Sequence, residues 1–186
     1  MEQMSFLSVR DISNADLILT IIGAGLCFVG YCLRLAAHVI LYTRGRNIFN
    51  FRALLIVIFL GYLGWGYWCG ADPLRMNIAA RVAVPVGAAL AAIGMALFLY
   101  SEIYKHGVGE TEAIVSSGIY AKIRHPMYFG LILLHAGFPL IFRSFSAFVS
   151  TILWAGFIAA WTHFEEKNLE RRFGRRYTEY KRQTWF

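Results

Sequence analysis

Charged residues are scarce in this sequence. Asp, Glu, Lys and Arg together make up 16% of the 186 residues, while 58% are hydrophobic. In soluble domains about a quarter of the residues are usually charged. This shortage argues against an ordinary soluble domain and predicts a single integral membrane domain over residues 1–186.

Cysteines and signature motifs are also few. The three cysteines, Cys27, Cys32 and Cys69, all lie in apolar segments, which favours packing over a disulfide or a metal site. No set of His, Cys, Asp and Glu has zinc spacing, so no metal is predicted. There is no serine nucleophile elbow and no strand-linked glycine fingerprint. The first sixteen residues carry charges and have no apolar core, so a cleaved secretory leader is not expected.

Long apolar runs are abundant. A membrane helix needs about 20 mostly apolar residues. Charge-free runs of about that length cover residues 17–33, with an apolar continuation to Tyr42, and residues 53–71, 82–101, 126–142 and 144–164. The runs are continuous and too long for strands. The predicted fold is therefore all-α, with about five transmembrane helices.

The last two predicted helices should form a hairpin that turns at Phe142-Arg143-Ser144. Pro139 is expected to kink or end the first arm of this hairpin, because proline lacks the N–H that a helix interior needs. Four basic residues lie inside predicted spans. Arg34 and His38 are expected to snorkel towards water, and His135 and His163 to form interhelical hydrogen bonds.

Lys and Arg are unevenly divided between the two sides of the predicted spans. Thirteen of the 18 fall on one side and four on the other, with Arg34 inside the first span. Positive charge concentrates on the cytoplasmic side of membrane proteins. The C-terminus is therefore predicted to be cytoplasmic and the N-terminus outside. Since these loops account for the net charge of +7, nucleic acid is not an expected partner.

Two polar segments flank the predicted hairpin. Residues 105–125 form the longest polar connection, and loops of that length are usually functional, so a cytoplasmic binding loop is predicted. The tail, residues 165–186, predicts an amphipathic cytoplasmic helix on the bilayer surface or against the protein, which Gly174 would interrupt. Its apolar stripe consists of Leu169, Phe173, Tyr177 and Tyr180. Glu165 falls on this stripe and Glu166 is rotated off it, so Glu165 is predicted to face the protein.

A basic pair precedes the fourth predicted helix. His125 is followed by Pro126, which disfavours helical backbone at His125 and suits the first turn of a helix. The helix N-terminus, Arg124 and His125 would all favour an anionic group. The simpler alternative is that Arg124 anchors the helix at the interface and His125 caps it. Taken together, the residues predict a cytoplasm-facing polar site lined by Arg124, His125, Tyr128 and Glu165, with no indication of its ligand.

Three sequence blocks resemble the isoprenylcysteine carboxyl methyltransferase family and are also similar to the related membrane phospholipid N-methyltransferases. They are Ile114-Val115-x-x-Gly118-x-Tyr120, Arg124-His125-Pro126-x-Tyr128-x-Gly130, and Glu165-Glu166-x-x-Leu169-x-x-x-Phe173-Gly174-x-x-Tyr177-x-x-Tyr180. The resemblance covers residues 105–182, so residues 105–186 are expected to form the catalytic region. It implies S-adenosylmethionine as the cofactor.

By position, the resemblance implies these cofactor contacts: Lys105, Glu112, Ala113, Ile114, Val115, Tyr120, His125, Pro126, Met127, Tyr128 and Glu165. It implies catalytic roles for Arg124, His125, Glu165 and Glu166. Trp161 stands where relatives have a substrate-contacting arginine, and is our candidate substrate contact. This departure and the missing Arg-x-x-Pro after the last tyrosine bear on the methyl acceptor more than on the cofactor.

The favoured function is methylation of a lipidic substrate that reaches the site sideways from the membrane, in particular the carboxylate of a prenylcysteine-like molecule. Such a carboxylate is already ionised at neutral pH and needs no general base. The first alternative is a phospholipid N-methyltransferase, whose amine would need a base such as Glu165 or His125. A sterol-type reductase using NADPH and a non-catalytic membrane scaffold are further alternatives.

Overall fold

The computed structural model describes residues 6–44, 51–107 and 114–186. Six helices dominate these residues, as the sequence predicted. The elements are β1 (Leu7–Val9), α1 (Asn14–Arg44), α2 (Phe51–Ala71), β2 (Leu74–Met76), α3 (Ala80–Gly107), a short 3-10 turn (Gly118–Ala121), α4 (Pro126–Ile141), α5 (Phe145–Phe173) and α6 (Arg175–Gln183). The helices confirm the all-α membrane class, apart from the two short strands.

Three of the described helices are long and apolar enough to cross a membrane: Asn14–Ala37 within α1, Ala80–Lys105 within α3, and Phe145–Phe173. The fourth predicted span, α4, has 16 residues. At 1.5 Å per residue it is about 24 Å long, less than the roughly 30 Å hydrocarbon core of a bilayer. The membrane assignment is confirmed, while the count of five spans stays a prediction.

Glycines set the closest helix contacts. A Cβ added at Gly94 of α3 would lie 2.5 Å from the carbonyl oxygen of Gly130 on α4, and one at Gly87 would lie 2.6 Å from that of Gly137. In the other helix pair, a Cβ at Gly23 of α1 would lie 2.5 Å from the carbonyl oxygen of Gly64 on α2. Small residues allow this backbone approach, which is how membrane helices commonly pack. Therefore α4 packs most extensively on α3, and less on its hairpin partner α5.

The α4–α5 hairpin turns where the sequence predicted. The backbone of Arg143 has a φ of 54°, and Ser144 caps α5 by accepting a hydrogen bond from the Ala147 N–H. Pro139 does not end α4, which continues to Ile141. The His135 carbonyl, which loses its helical donor at Pro139, accepts a hydrogen bond from the Thr151 hydroxyl at 2.9 Å instead.

The strands, which were not predicted, close the end of the bundle opposite to the candidate site. Strand β1 pairs antiparallel with β2, and the Met76 N–H donates to the Arg143 carbonyl at 2.8 Å. The buried Asp72 carboxylate accepts hydrogen bonds from the Ser144 hydroxyl at 2.5 Å and the Ser146 N–H at 2.9 Å. These bonds satisfy a buried charge, which would otherwise be costly.

The predicted tail helix does not begin at Glu165. Helix α5 runs without interruption through Glu165 to Phe173, and Gly174, with a φ of 54°, ends it. Helix α6 then turns back against the protein, so that Tyr177 is 2% exposed. The break at Gly174 was predicted, and α6 uses the predicted apolar stripe to pack on the protein. The 105–125 connection also starts later than predicted, because α3 continues to Gly107.

Candidate active site

The segment before α4 is bound to the last residues of the chain. The Arg124 N–H donates to the Trp185 oxygen and the His125 N–H to a Phe186 oxygen, both at 2.9 Å. The Trp185 N–H donates back to the Lys122 carbonyl at 2.7 Å. His125 itself caps α4 with a φ of −125°, and Pro126 occupies the first turn as predicted. The backbone of the basic pair is therefore fixed by pairing with the tail.

Glu166 is the centre of an ion-pair network. Its Oε1 accepts a hydrogen bond from Arg124 Nε at 2.9 Å and lies 3.3 Å from His125 Nε2, while its Oε2 lies 2.7 Å from Lys181 Nζ. Lys181 also pairs with Glu170 at 2.9 Å. Hydrogen bonds from Lys181 to Glu166 and Glu170 raise the pKa of the lysine above its ordinary value. The network joins α5, α6 and the segment before α4.

Glu165 lies beside this network and has a separate partner. The buried Tyr128 hydroxyl donates to Glu165 Oε2 at 2.7 Å, and the His125 ring stacks on Tyr128 with centroids 5.5 Å apart. Within the described residues, the other Glu165 oxygen has no hydrogen-bond partner. The prediction that Glu165 rather than Glu166 faces the protein is wrong in one respect: both do, because α5 is continuous and α6 folds back over Glu166.

Tyr120 connects the 3-10 turn to α3 and α6. Its carbonyl accepts from the Tyr180 hydroxyl at 2.7 Å, and its own hydroxyl donates to the Ser101 carbonyl at 3.3 Å. Burial raises the pKa of Tyr120 to about 12 and that of Tyr180 to about 12. Both phenols are therefore neutral hydrogen-bond donors at physiological pH, and Tyr120 lies at the edge of the cluster.

The remaining predicted site residues are more scattered. Pro126 is buried, Met127 is half-buried against the core, and Ile114 and Val115 are half-buried at the start of the described 114–186 range. Lys105 is exposed and makes no hydrogen bond or ion pair within the described ranges. Glu112 and Ala113 lie outside the described residues. The structure thus brings together Arg124, His125, Tyr128, Glu165 and Glu166.

Trp161, the candidate substrate contact, is fully buried one helical turn before Glu165. Its ring packs on Tyr128, with centroids 6.4 Å apart, and stacks on Tyr31 at 5.6 Å. The guanidinium carbon of Arg34 lies 4.9 Å from the centre of the Trp161 ring. Arg34 therefore points to the interior of the bundle and does not snorkel as predicted.

The two span histidines differ. The Nε2 of His135 bonds to the Tyr31 hydroxyl, which confirms the predicted interhelical hydrogen bond. His163 is exposed, and its described contact is with the neighbouring Phe164 ring, so that prediction is wrong. His163 lies on the outer face of α5, where no other helix packs close to it in the described structure.

Lys181, Tyr31 and the last two residues were missed as parts of this region. Lys181 has no periodic relationship to Glu166, since Gly174 reverses the chain between them. The sequence did contain a signal for Arg34, because a charged residue inside an apolar run suggests a functional role by default.

The site holds charges of both signs in a half-buried setting. Such a set can bind a ligand that carries both ammonium and carboxylate groups, and Glu165 has an oxygen available for a cation. Within the described residues, no group of three or more His, Cys, Asp and Glu side chains is placed to hold a metal ion. The region can therefore bind charged organic groups and accept a proton.

The comparisons with known proteins give one family. The sequence model described as phospholipid methyltransferase matches residues 82–176, which include all of α4 and α5 and nearly all of α3. No curated protein and no solved structure matched the chain. The match supports the broader membrane methyltransferase group and does not single out isoprenylcysteine carboxyl methyltransferases. Because it covers just over half of the chain, including Arg124, His125, Tyr128 and both glutamates, the protein belongs to the phospholipid methyltransferase family.

Proposed function

We propose that the protein is an S-adenosylmethionine-dependent N-methyltransferase that acts on the amine of a phospholipid headgroup. The observation that carries the proposal is the position of the Glu165 carboxylate. It accepts a hydrogen bond from the Tyr128 hydroxyl at 2.7 Å and lies beside the ion-pair network around Glu166. The family match supports the same chemistry.

S-adenosylmethionine, when bound, supplies an electrophilic methyl group on a positively charged sulfur. The residues fit such a molecule, because they offer hydrogen-bonding groups, cations and half-buried apolar side chains. In this proposal the cofactor is held by Ile114, Val115, Tyr120, His125, Met127 and Tyr128, with Lys105, Glu112 and Ala113 from the preceding segment, while Glu165 faces the substrate amine.

Glu165 would accept the proton that an ammonium must lose before its nitrogen becomes nucleophilic. The Tyr128 hydroxyl holds one Glu165 oxygen, which orients the carboxylate and leaves the other oxygen for the substrate. Arg124 and Lys181 would act indirectly, by neutralising Glu166 and keeping α6 in place. Glu165, the proposed proton acceptor, is thereby positioned by Tyr128, and the ion pairs of Glu166 hold the helices around it.

The electrostatics favour an amine over a carboxylate as the acceptor. The cations of the cluster bind Glu166, whereas Glu165 is bonded to the neutral Tyr128. A substrate ammonium next to Glu165 meets opposite charge, while a carboxylate meets like charge. Methylation of a prenylcysteine carboxylate, which the sequence blocks suggested, is therefore the less favoured function.

The first test is binding to the detergent-purified protein. Calorimetry should detect S-adenosylmethionine and not NADPH, and binding of NADPH alone would overturn the proposal. The second test is transfer of a radiolabelled methyl group to phosphatidylethanolamine or to a prenylcysteine. Transfer to phosphatidylethanolamine is expected; transfer to the prenylcysteine alone would replace the amine by a carboxylate acceptor.

Glu165→Gln tests the proposed base directly. It keeps a side chain that can accept the Tyr128 hydrogen bond but removes the proton acceptor, so the turnover number should fall by about a hundredfold. Glu179→Gln is the matched control, since Glu179 is an exposed α6 residue paired with Arg175. Equal activity of the two variants would exclude Glu165 as the base.

A further inference from the structure

Arg34 places a positive charge inside the apolar part of the bundle. It lies in the α1 segment that is apolar enough to span a membrane, well before the end of α1 at Arg44. A guanidinium at membrane depth is costly, and such residues are kept for function or paired with the protein interior. Arg34 therefore needs an explanation that surface charges do not.

The guanidinium is directed inward by an aromatic wall. Its central carbon lies 4.9 Å from the centre of the Trp161 ring, and Trp161 is 0% exposed. The Tyr31 ring stacks on the same indole at 5.6 Å, with 8° between the planes. A cation over an aromatic face is stabilised electrostatically, more so where water is excluded. These contacts hold Arg34 on the inner side of α1.

The same wall leads to the proposed active site. Trp161 packs on Tyr128 with ring centroids 6.4 Å apart, and the Tyr128 hydroxyl donates to Glu165 at 2.7 Å. Trp161 lies one turn from Glu165 on α5, a rise of about 6 Å. A positive group and a negative group thus border the two ends of one aromatic surface.

We propose that Arg34 binds the phosphate of the phospholipid substrate, while the amine of the same headgroup reaches Glu165. This inference rests on the proposed function. In a headgroup whose phosphate and amine are joined by a two-carbon linker, the negative phosphate would meet the positive Arg34 and the positive amine would meet the negative Glu165. Arginine binds phosphate oxygens with two parallel N–H donors, which a lysine does not reproduce. Arg34 is thus a substrate-positioning residue contributed by a helix outside the matched residues 82–176.

The test compares Arg34→Gln and Arg34→Lys with the control Arg44→Gln, which removes an exposed charge from the last turn of the same helix. Methyl transfer is measured with phosphatidylethanolamine and with sphingosine, an amine lipid that has no phosphate. For phosphatidylethanolamine, Arg34→Gln should raise KM at least about tenfold, the effect of losing hydrogen bonds to a charged group. Arg34→Lys should lie between wild type and Arg34→Gln.

With sphingosine, Arg34→Gln and wild type should have the same KM, and S-adenosylmethionine affinity should be unchanged with either lipid. An equal KM increase for both lipids, or the same increase in Arg44→Gln, would overturn the assignment. Inorganic phosphate is added as a competitor to separate a lipid headgroup from free phosphate. If inorganic phosphate competes with phosphatidylethanolamine at concentrations as low as the KM for this lipid, the site binds free phosphate and the lipid assignment is overturned.

A failure of the proposed function can be distinguished from a failure of the Arg34 assignment. If the wild-type protein transfers no methyl group to phosphatidylethanolamine, the N-methyltransferase proposal fails. Native mass spectrometry then compares binding of this lipid to wild type and to Arg34→Gln. Weaker binding to the variant supports the phosphate site, and equal binding overturns it.

Discussion

Arg124 donates a hydrogen bond from its Nε to Glu166 Oε1 at 2.9 Å, which ties the segment before α4 to the helix α5. The same guanidinium donates from Nη1 to the Thr184 carbonyl at 2.6 Å. One side chain therefore holds together the start of α4, the polar end of α5 and the residues after α6.

Replacement of Arg124 should loosen this end of the protein. Arg124→Gln removes one charged hydrogen-bond partner of Glu166, and losing hydrogen bonds between charged groups typically costs about 1.5–3 kcal/mol. The melting temperature of the detergent-solubilised variant, followed by tryptophan fluorescence, should therefore fall. The control Arg175→Gln removes an ion pair whose side chains are 91% and 53% exposed, so its melting temperature should stay close to that of wild type. Equal melting temperatures for the two variants would contradict a structural role for the network.

The glycine contacts of α3 and α4 should tolerate no added methyl group. A Cβ at Gly130 would lie 2.6 Å from the Gly94 carbonyl oxygen, so Gly130→Ala must push the two backbones apart and lower the melting temperature. Gly156→Ala in α5 is the matched control, because a Cβ there meets nothing within 4 Å. Alanine favours a helix over glycine by about 1 kcal/mol, so this control should be neutral or stabilising. A neutral Gly130→Ala would mean that the helices are less closely packed than described.

Lys181 should make the docking of α6 sensitive to alkaline pH. Its pKa is raised in the folded protein by hydrogen bonds to Glu166 and Glu170. The ion pairs therefore contribute their full stability below the ordinary lysine pKa of 10.5 and lose it as pH rises through the higher folded-state value. The melting temperature of wild type should exceed that of Lys181→Met at neutral pH, and the difference should shrink above about pH 10.5.

Comparing the two proteins at each pH separates this effect from tyrosine titration, because Tyr120 and Tyr180 are present in both. A difference in melting temperature that stays constant from pH 8 to pH 12 would contradict the role given to Lys181.

Tyr128 should matter for methyl transfer through its hydroxyl alone. Tyr128→Phe keeps the ring that packs on His125 and Trp161 but removes the donor to Glu165. A hydrogen bond to a charged group is worth about 1.5–3 kcal/mol, so kcat/KM should fall at least about tenfold. Tyr67→Phe is the control, since the Tyr67 hydroxyl lies 3.4 Å from Asp16 on another part of the surface. Equal kcat/KM values would show that Tyr128 does not position Glu165.

Much of the fold follows from local sequence rules. The start of α4 at Pro126 and the break at Gly174 depend on the backbone limits of single residues, which the sequence displays directly. The turn at Arg143 follows from a charged residue between two apolar runs. The β1–β2 pair could not be predicted in this way. Each strand has three residues, too few for an alternating pattern, and the pair is stabilised by its contact with the α4–α5 turn.

The site was predictable where its residues lie close together in the sequence or on one helix face. Arg124, His125, Tyr128 and Glu165 were selected in that way. The partnership of Lys181 with Glu166 depends on the direction in which α6 leaves Gly174, which is a three-dimensional property. Arg34 was visible as a charge in an apolar run, but only the position of Trp161 on a distant helix determines that it points inward.

The glycine contacts divide the bundle into two stiff helix pairs, α1 with α2 and α3 with α4, and α5 packs on both. Arg34 belongs to the first pair and Tyr128 to the second. Backbones in such close contact cannot slide past each other without a clash. The hydrogen bond from Tyr31 to His135 crosses the boundary between the pairs, so that any movement of one pair relative to the other would have to bend or break it.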